Sequence, residues 1–200
     1  DGYRLSKEEI ELEGKPEPLE VILPSLSLSE MVRISMMLDA SEVELRIIEN
    51  KNQIVFVFPN TKIFTRIIDG EFPNVEKIIP AGFKTRVIVD RDTFHSAVKT
   101  ASIFARGSAN IVKIKIEKEG IRLSANTPQV GEEHDFVEAK VDGEEMEVAF
   151  NFRFLLDLLN NFPDKELVFE SLGSLNPGVF RPKSEKYSFL HIIMPVRVQS

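Results

Sequence analysis

The stretch VAFNFRFLLDLLNNF, Val148–Phe162, reads as a short apolar strand running straight into a helix. Asn151 is placed to cap that helix, and Leu155, Leu158, Leu159 and Phe162 recur at helical spacing. Phe162-Pro163-Asp164 stops it. The same order occurs twice earlier in the chain. Val21-Ile22-Leu23 leads into Leu26–Leu38, and Val87-Ile88-Val89 leads into Asp90–Ala105. Further strands follow each helix, so the units can be laid over one another. A repeat fixes architecture before any single residue is interpreted. One built of sheet and helix suits a scaffold better than an enzyme with one pocket.

The first unit carries Leu28, Met31, Val32 and Met36 at helical spacing, with Ser27 as the expected N-cap. Val43, Leu45 and Ile47 alternate with Glu44 and Arg46, as in a half-buried strand. Asn50-Lys51-Asn52 turns the chain into Gln53–Phe58, and Thr61–Ile68 follows. The second unit places Phe94, Ala97, Val98 and Ala101 on one helix face. Strands are expected at Asn110–Ile116, Ile121–Ala125 and Phe136–Val141. In the third, Leu167, Phe169, Val179, Phe180 and Phe189–Ile193 supply strands, and Pro195 should leave sheet pairing. Each unit is thus one helix against about four strands joined mostly by hairpins. The expected class is α+β, with repeated units of one helix packed on antiparallel strands.

Two prolines and two glycines between Gly70 and Gly82 mark a connector. The opening stretch Asp1–Glu20 reads as a piece of strand and a loop. Its Glu8, Glu9, Glu11, Glu13, Glu17 and Glu20 read as a solvated acidic loop rather than a metal site, since nothing fixes their geometry.

Composition narrows the chemistry. The 200 residues contain no cysteine, which excludes disulfides, thiolate metal sites and a thiol nucleophile. No apolar run spans a bilayer and no leader pattern opens the chain, so no membrane partner is expected and the expected location is cytoplasmic. The chain starts at Asp1 rather than Met, and so is expected to lack its true start. A net charge of −7 disfavours phosphate binding over the whole surface but permits a local basic face.

The three histidines, His95, His134 and His191, form no i,i+3 or i,i+4 pair. His134 sits among Glu132, Glu133 and Asp135, a weak cation candidate, and Asp90 with Asp92 could be a carboxylate pair. Helix capping and macrodipole compensation explain those two acids better. No phosphate loop and no nucleophile elbow is present. The expectation is therefore no catalytic residue, no metal and no cofactor. Arg33, Arg91, Lys99, Arg106 and Arg153 lie on or just after the three helices; periodicity alone supports equally an ordinary solvated face and one basic surface, whose contact with nucleic acid would be to phosphates rather than bases.

Four local motifs sharpen this reading: DGYRL at Asp1–Leu5, GEFPNVEKIIP at Gly70–Pro80, AFNFRFLLDLL at Ala149–Leu159 and IIMPVRV at Ile192–Val198. Together, in this order and spacing, they resemble the bacterial replicative sliding clamp, the beta subunit of DNA polymerase III. The resemblance implies a DNA-clamp fold, with residues 1–83 the C-terminal part of a middle domain and 84–200 a third domain. It implies a non-catalytic processivity factor of DNA replication, a head-to-tail homodimer when full length, which encircles double-stranded DNA. Without the first domain, the chain is expected not to close that ring. The clamp would bind DNA polymerase, clamp loader and repair factors through short linear peptides.

The peptide pocket it implies is formed by Gly2, Tyr3, Arg4, Leu5, Pro73, Lys77 and Ile78, with Asn151, Phe154, Leu175, Pro177, Ile192, Met194, Pro195, Val196, Arg197 and Val198. Lys77 stands where arginine is usual and loses bidentate hydrogen bonding. Phe154 stands where tyrosine is common and loses a hydroxyl. Gln199-Ser200 extends past the usual terminus. Ile103 and Phe104 are the implied dimer contacts, and two adjacent large apolar residues on a helix cannot both face one core, so one is expected at the surface. The alternative reading is a repeat-built interaction module without a DNA role. A hydrolase using Asp90, Asp92 or the His134 cluster is a third.

Overall fold

The structure, a computed structural model, describes residues 2–11, 18–48, 51–107, 109–127 and 131–197. The chain forms two compact units, one of Leu12–Asn74 and one of Asp1–Glu11 with Val75–Ser200. Strand β1 (Arg4–Glu9) opens the chain and belongs to the larger unit. Glu8 and Glu9 are thus strand residues, where a loop was expected.

The smaller unit holds α1 (Ser25–Met37), β2 (Glu44–Ile48), β3 (Gln53–Val57) and β4 (Lys62–Arg66). The three strands form an antiparallel sheet in the order β2-β3-β4. Ile54, Phe56 and Phe58 make its core, with Val21, Leu23, Met31, Ile34, Ile63 and Ile67 packed against them. Four sequence expectations change here, the first being that Val43, Leu45 and Ile47, expected to give a half-buried strand, are exposed. Val21–Leu23 forms no strand, although Ile22 accepts a backbone bond from Ile68 at 2.8 Å. Pro24 occupies the N-cap of α1, and Ser27 lies inside the helix with its hydroxyl 2.8 Å from that of Thr65. Met31 and Ile34 pack inward, whereas Leu28, Val32 and Met36 are exposed. A three-stranded sheet offers one helix only a narrow seam, so two positions rather than a broad stripe are covered.

The larger unit continues with β5 (Thr85–Asp90), α2 (Arg91–Ala105), β6 (Ile111–Glu117), β7 (Gly120–Thr127), β8 (Gly131–Glu138) and β9 (Lys140–Gly143). It ends with β10 (Met146–Asn151), α3 (Phe152–Asn160), β11 (Glu166–Ser171), β12 (Gly178–Pro182) and β13 (Ser188–Ile193). Its sheets run β10-β6-β7-β8 and β1-β13-β12-β11-β5-β9. The second and third repeats therefore exchange their opening strands. β5 pairs with β11 of the following repeat, and β10 pairs with β6 of the preceding one, both antiparallel. The exchange merges two small cores into one, in which α2 packs against α3. Phe150 meets Phe169 and Phe180 edge-on, at 6.1 and 6.0 Å between ring centroids. Such pairs add to area burial because ring edges and faces carry opposite partial charge.

The expected single strand Phe136–Val141 is divided. β8 ends at Glu138 and β9 begins at Lys140 in the other sheet, where it covers the edge of β5. Gly143 closes that crossing at φ +101°, and a Cβ there would lie 1.9 Å from the Lys84 carbonyl oxygen. The caps of α2 and α3 follow the sequence reading, unlike that of α1. The Asp90 carboxylate accepts from the Thr93 amide and hydroxyl, both at 2.8 Å, and these bonds hold its pKa below the ordinary value. Asn151 Oδ1 accepts from the Arg153 amide at 3.0 Å. Among the described residues, no helix is long and apolar enough to cross a membrane.

Candidate functional site

β1 lies on the edge of the six-stranded sheet, antiparallel to β13, with Arg4 opposite Ile193 and Leu5 opposite Ile192. The pairing extends one residue further, as the Met194 amide donates to the Tyr3 carbonyl at 2.8 Å. β13 ends there, so Pro195 stands outside the ladder, and the Val196 amide turns back to the Ala149 carbonyl at 2.8 Å. A proline at this point removes the next donor and frees the tail to cross toward the start of α3. Residues distant in sequence meet along this seam: Tyr3 and Arg4, at the start of β1, contact Phe154 near the head of α3, and Met194 and Val196 of the tail bond to Tyr3 and Ala149.

The seam has an apolar base. Leu5 and Ile79 pack against buried Val179, Leu190 and Ile192. Ile79 belongs to the motif expected to be a connector. Its second half instead forms a 3₁₀ turn at Val75–Lys77, tied to β1 by Lys7, whose Nζ lies 2.9 Å from Glu76. Ile192, at 2% exposure, supports the surface rather than forming it. Tyr3, Ile78 and Leu175 remain 64%, 45% and 61% exposed, an apolar display that folding within this unit does not cover. Pro177 precedes Gly178, which pairs with Ile193, so it sits at the same end of the sheet. Gly2 precedes Tyr3 at φ +88°, where a side chain would be strained. Lys77 and Arg197 are exposed. Pro73 belongs to the smaller unit, and Val198, with Gln199-Ser200, lies outside the described residues.

Polar contacts at the seam were not foreseen from sequence. Arg4 Nη1 lies 2.6 Å from the Asp157 carboxylate, and its guanidinium carbon sits 4.6 Å from the Phe154 ring centroid. Tyr3 stacks on Phe154 at 6.4 Å, with 26° between ring planes. The Ser6 hydroxyl is 2.7 Å from Nδ1 of buried His191. Burial, helped by the nearby Arg4 charge, lowers the His191 pKa to about 4. The sequence signal available was the i,i+3 spacing of Phe154 and Asp157 on one helix face.

The basic candidates separate by unit. Arg91, Lys99 and Arg106 lie on or just beyond α2 and Arg153 on α3, the pair that packs together, while Arg33 lies on α1 of the other unit. Lys99, Arg106 and Arg153 are exposed. Arg91 pairs with Asp92 at 3.0 Å, and Arg33 pairs with Glu30. Ile103 is 57% exposed on α2, and neighbouring Phe104 packs on the core. Asp90 is committed to its cap, and His134 stands opposite Ser124 in the β7–β8 register. The Glu132 and Glu133 side chains lie outside the described residues. Among the described residues no group of acids and histidines could hold a metal ion.

The larger unit is thus an α+β scaffold in which two repeats exchange their opening strands and pair their helices. Residues 76–197 match the family described as DNA polymerase III beta subunit, C-terminal domain, and residues 1–74 match its central domain. The chain belongs to the family of DNA polymerase III beta subunits. It is 27% identical over 199 residues to a beta sliding clamp of Staphylococcus aureus, covering 98% of this chain and 52% of that protein. The fold matches the DNA polymerase III beta chain of Streptococcus pneumoniae with a TM-score of 0.92 at 26% identity, covering 99% of this chain and 52% of that one. A DNA polymerase sliding clamp of Bacillus subtilis matches at 30% identity and a TM-score of 0.89, covering 100% and 52% respectively. The chain thus spans about half the length of these relatives.

Proposed function

We propose that this chain is part of a ring-forming sliding clamp, a processivity factor that tethers DNA polymerase, clamp loader and repair factors to duplex DNA. Partners dock as short linear peptides on the seam of β1 and the tail after β13. The observation that carries the docking reading is that Tyr3, stacked on Phe154 and bonded through its carbonyl to Met194, stays 64% exposed, as Leu175 does at 61%. Met194 supplies a deformable lining that accommodates varied side chains. Asn151 spends its oxygen on its helix, which leaves its two N–H donors for a docked backbone, and Arg197 offers a cation.

On DNA, retention by topology needs few contacts. Tight phosphate binding stops sliding, so exposed cations such as Lys99, Arg106 and Arg153 on an otherwise acidic chain suit the task. Head-to-tail closure through the exposed Ile103, with Phe104 bracing it from the core, completes the ring in the full-length protein. The boundary between a middle-domain part and a third domain near residue 83, a cytoplasmic location and the absence of catalysis, metal and cofactor belong to the same proposal.

Calorimetric titration with a short apolar polymerase-tail peptide tests it. Saturable binding that Met194→Ala and Arg197→Ala both weaken is expected. A folded chain that gives no binding contradicts the docking reading and favours the interaction module that lacks a replication role.

A further inference from the structure

We infer that Asp157 is a positioning residue for the docking seam: through Arg4 it holds the stacked rings of Phe154 and Tyr3 in the orientation a partner peptide meets. The inference rests on the docking reading above. The β1 backbone is fixed independently, by its ladder with β13 and by the Ser6–His191 hydrogen bond. What the ladder leaves open is the side-chain torsions of Tyr3 and Arg4, which a strand does not specify by itself.

Those torsions are set by a chain of contacts. The Asp157 carboxylate holds Arg4 at 2.6 Å, a charge-assisted bond that is directional as well as short. Held there, the guanidinium lies 4.6 Å above the Phe154 ring centroid. Tyr3 stacks against the same ring at 6.4 Å. Phe154 and Asp157 are three residues apart on α3, so one helix face presents both the ring and the acid that aims the cation at it. Asn161 Nδ2 donates to the Asp157 carbonyl at 2.8 Å and firms the helix end that carries the acid. Arg4 and Asp157 also lie on the wall of a cavity of about 560 Å³ that includes Ser6, Asn161 and His191. Loss of the carboxylate removes the directional bond that aims the guanidinium at the ring.

The Asp157 side chain is 61% exposed, so the pair adds little to folding. That separates positioning from structural support. Asp157→Asn is expected to leave the melting temperature unchanged while weakening peptide binding about fivefold, with Asp157→Glu restoring most of the loss. The chain has two tyrosines, Tyr3 and Tyr187, so fluorotyrosine labelling gives two ¹⁹F resonances. Asp157→Asn should move the Tyr3 resonance and leave that of Tyr187 in place. An unmoved Tyr3 resonance, or full affinity in Asp157→Asn while the unaltered chain binds, overturns this inference alone. No binding by the unaltered chain overturns the docking reading as well.

Discussion

Replacing Tyr3 by alanine separates docking from folding. Tyr3 is 64% exposed although it stacks on Phe154. An aromatic side chain carries about 150–250 Å² of buriable surface, which leaves roughly 100–160 Å² of Tyr3 open to a docked chain. Covering half to all of that at about 25 cal/mol per Å² corresponds to about 1–4 kcal/mol. A middle value of about 2 kcal/mol is roughly thirtyfold in affinity. The folding cost is bounded separately, because the ring is mostly in solvent and the stacked pair contributes about 0.5–1.5 kcal/mol. Calorimetry with a polymerase-tail peptide should therefore show a roughly thirtyfold loss for Tyr3→Ala, while urea unfolding shows a loss of no more than ~1.5 kcal/mol. Unchanged affinity would refute the reasoning. So would an unfolding loss of about 3 kcal/mol or more, the scale of a buried aromatic, since Tyr3 would then be a core residue.

Gly143→Ala should be among the most destabilising single changes, costing about 1–3 kcal/mol or more, since its Cβ meets the Lys84 carbonyl oxygen at φ +101°; thermal unfolding checks this. Asp90→Ala should cost about 1 kcal/mol at neutral pH through loss of the α2 cap. The hydrogen bonds from Thr93 lower the Asp90 pKa, so this contribution is present above its ordinary value of 3.8 and fades as pH falls through the depressed native value. The gap in unfolding free energy between Asp90→Ala and the unaltered chain should accordingly close in acid. For His191, an unfolded chain takes up its proton near 6.5, whereas burial keeps the native ring neutral to about 4. The unfolded state binds more protons in that window, so stability falls as pH drops from 6.5 to about 4. His191→Gln should flatten that slope in urea titrations run across the same pH range.

The helices and most strands were legible in sequence because their signals are local. Asn151 and Asp90 cap as their residue types require, and the alternation of Val112, Ile114 and Ile116 states which face of β6 is buried. What was not legible is non-local. Nothing near Val87 or Phe150 says that β5 and β10 exchange partners between repeats. The change of sheet at Ala139 has no residue signature beyond Gly143, whose need for glycine appears only once the Lys84 backbone is beside it. On α1, apolar residues outnumber the positions one narrow sheet can cover, so of Leu28, Met31, Val32 and Met36 named by periodicity only Met31 packs inward, joined by Ile34, which periodicity did not name. Among the seam residues, Tyr3, Leu5, Phe154 and Met194 were named from the family resemblance. Arg4's partner Asp157, the Ser6–His191 bond and the packing of Ile79 depend on register across the β1–β13 ladder, which no single stretch encodes.

The claim that peptides dock on this seam is tested most directly by following backbone amides of the ¹⁵N-labelled chain while a polymerase-tail peptide is added. The account predicts saturable shifts concentrated at Gly2–Leu5, Asn151–Phe154, Leu175 and the Met194–Arg197 tail. Shifts centred instead on the exposed face of α2, or none at saturating peptide, would contradict it.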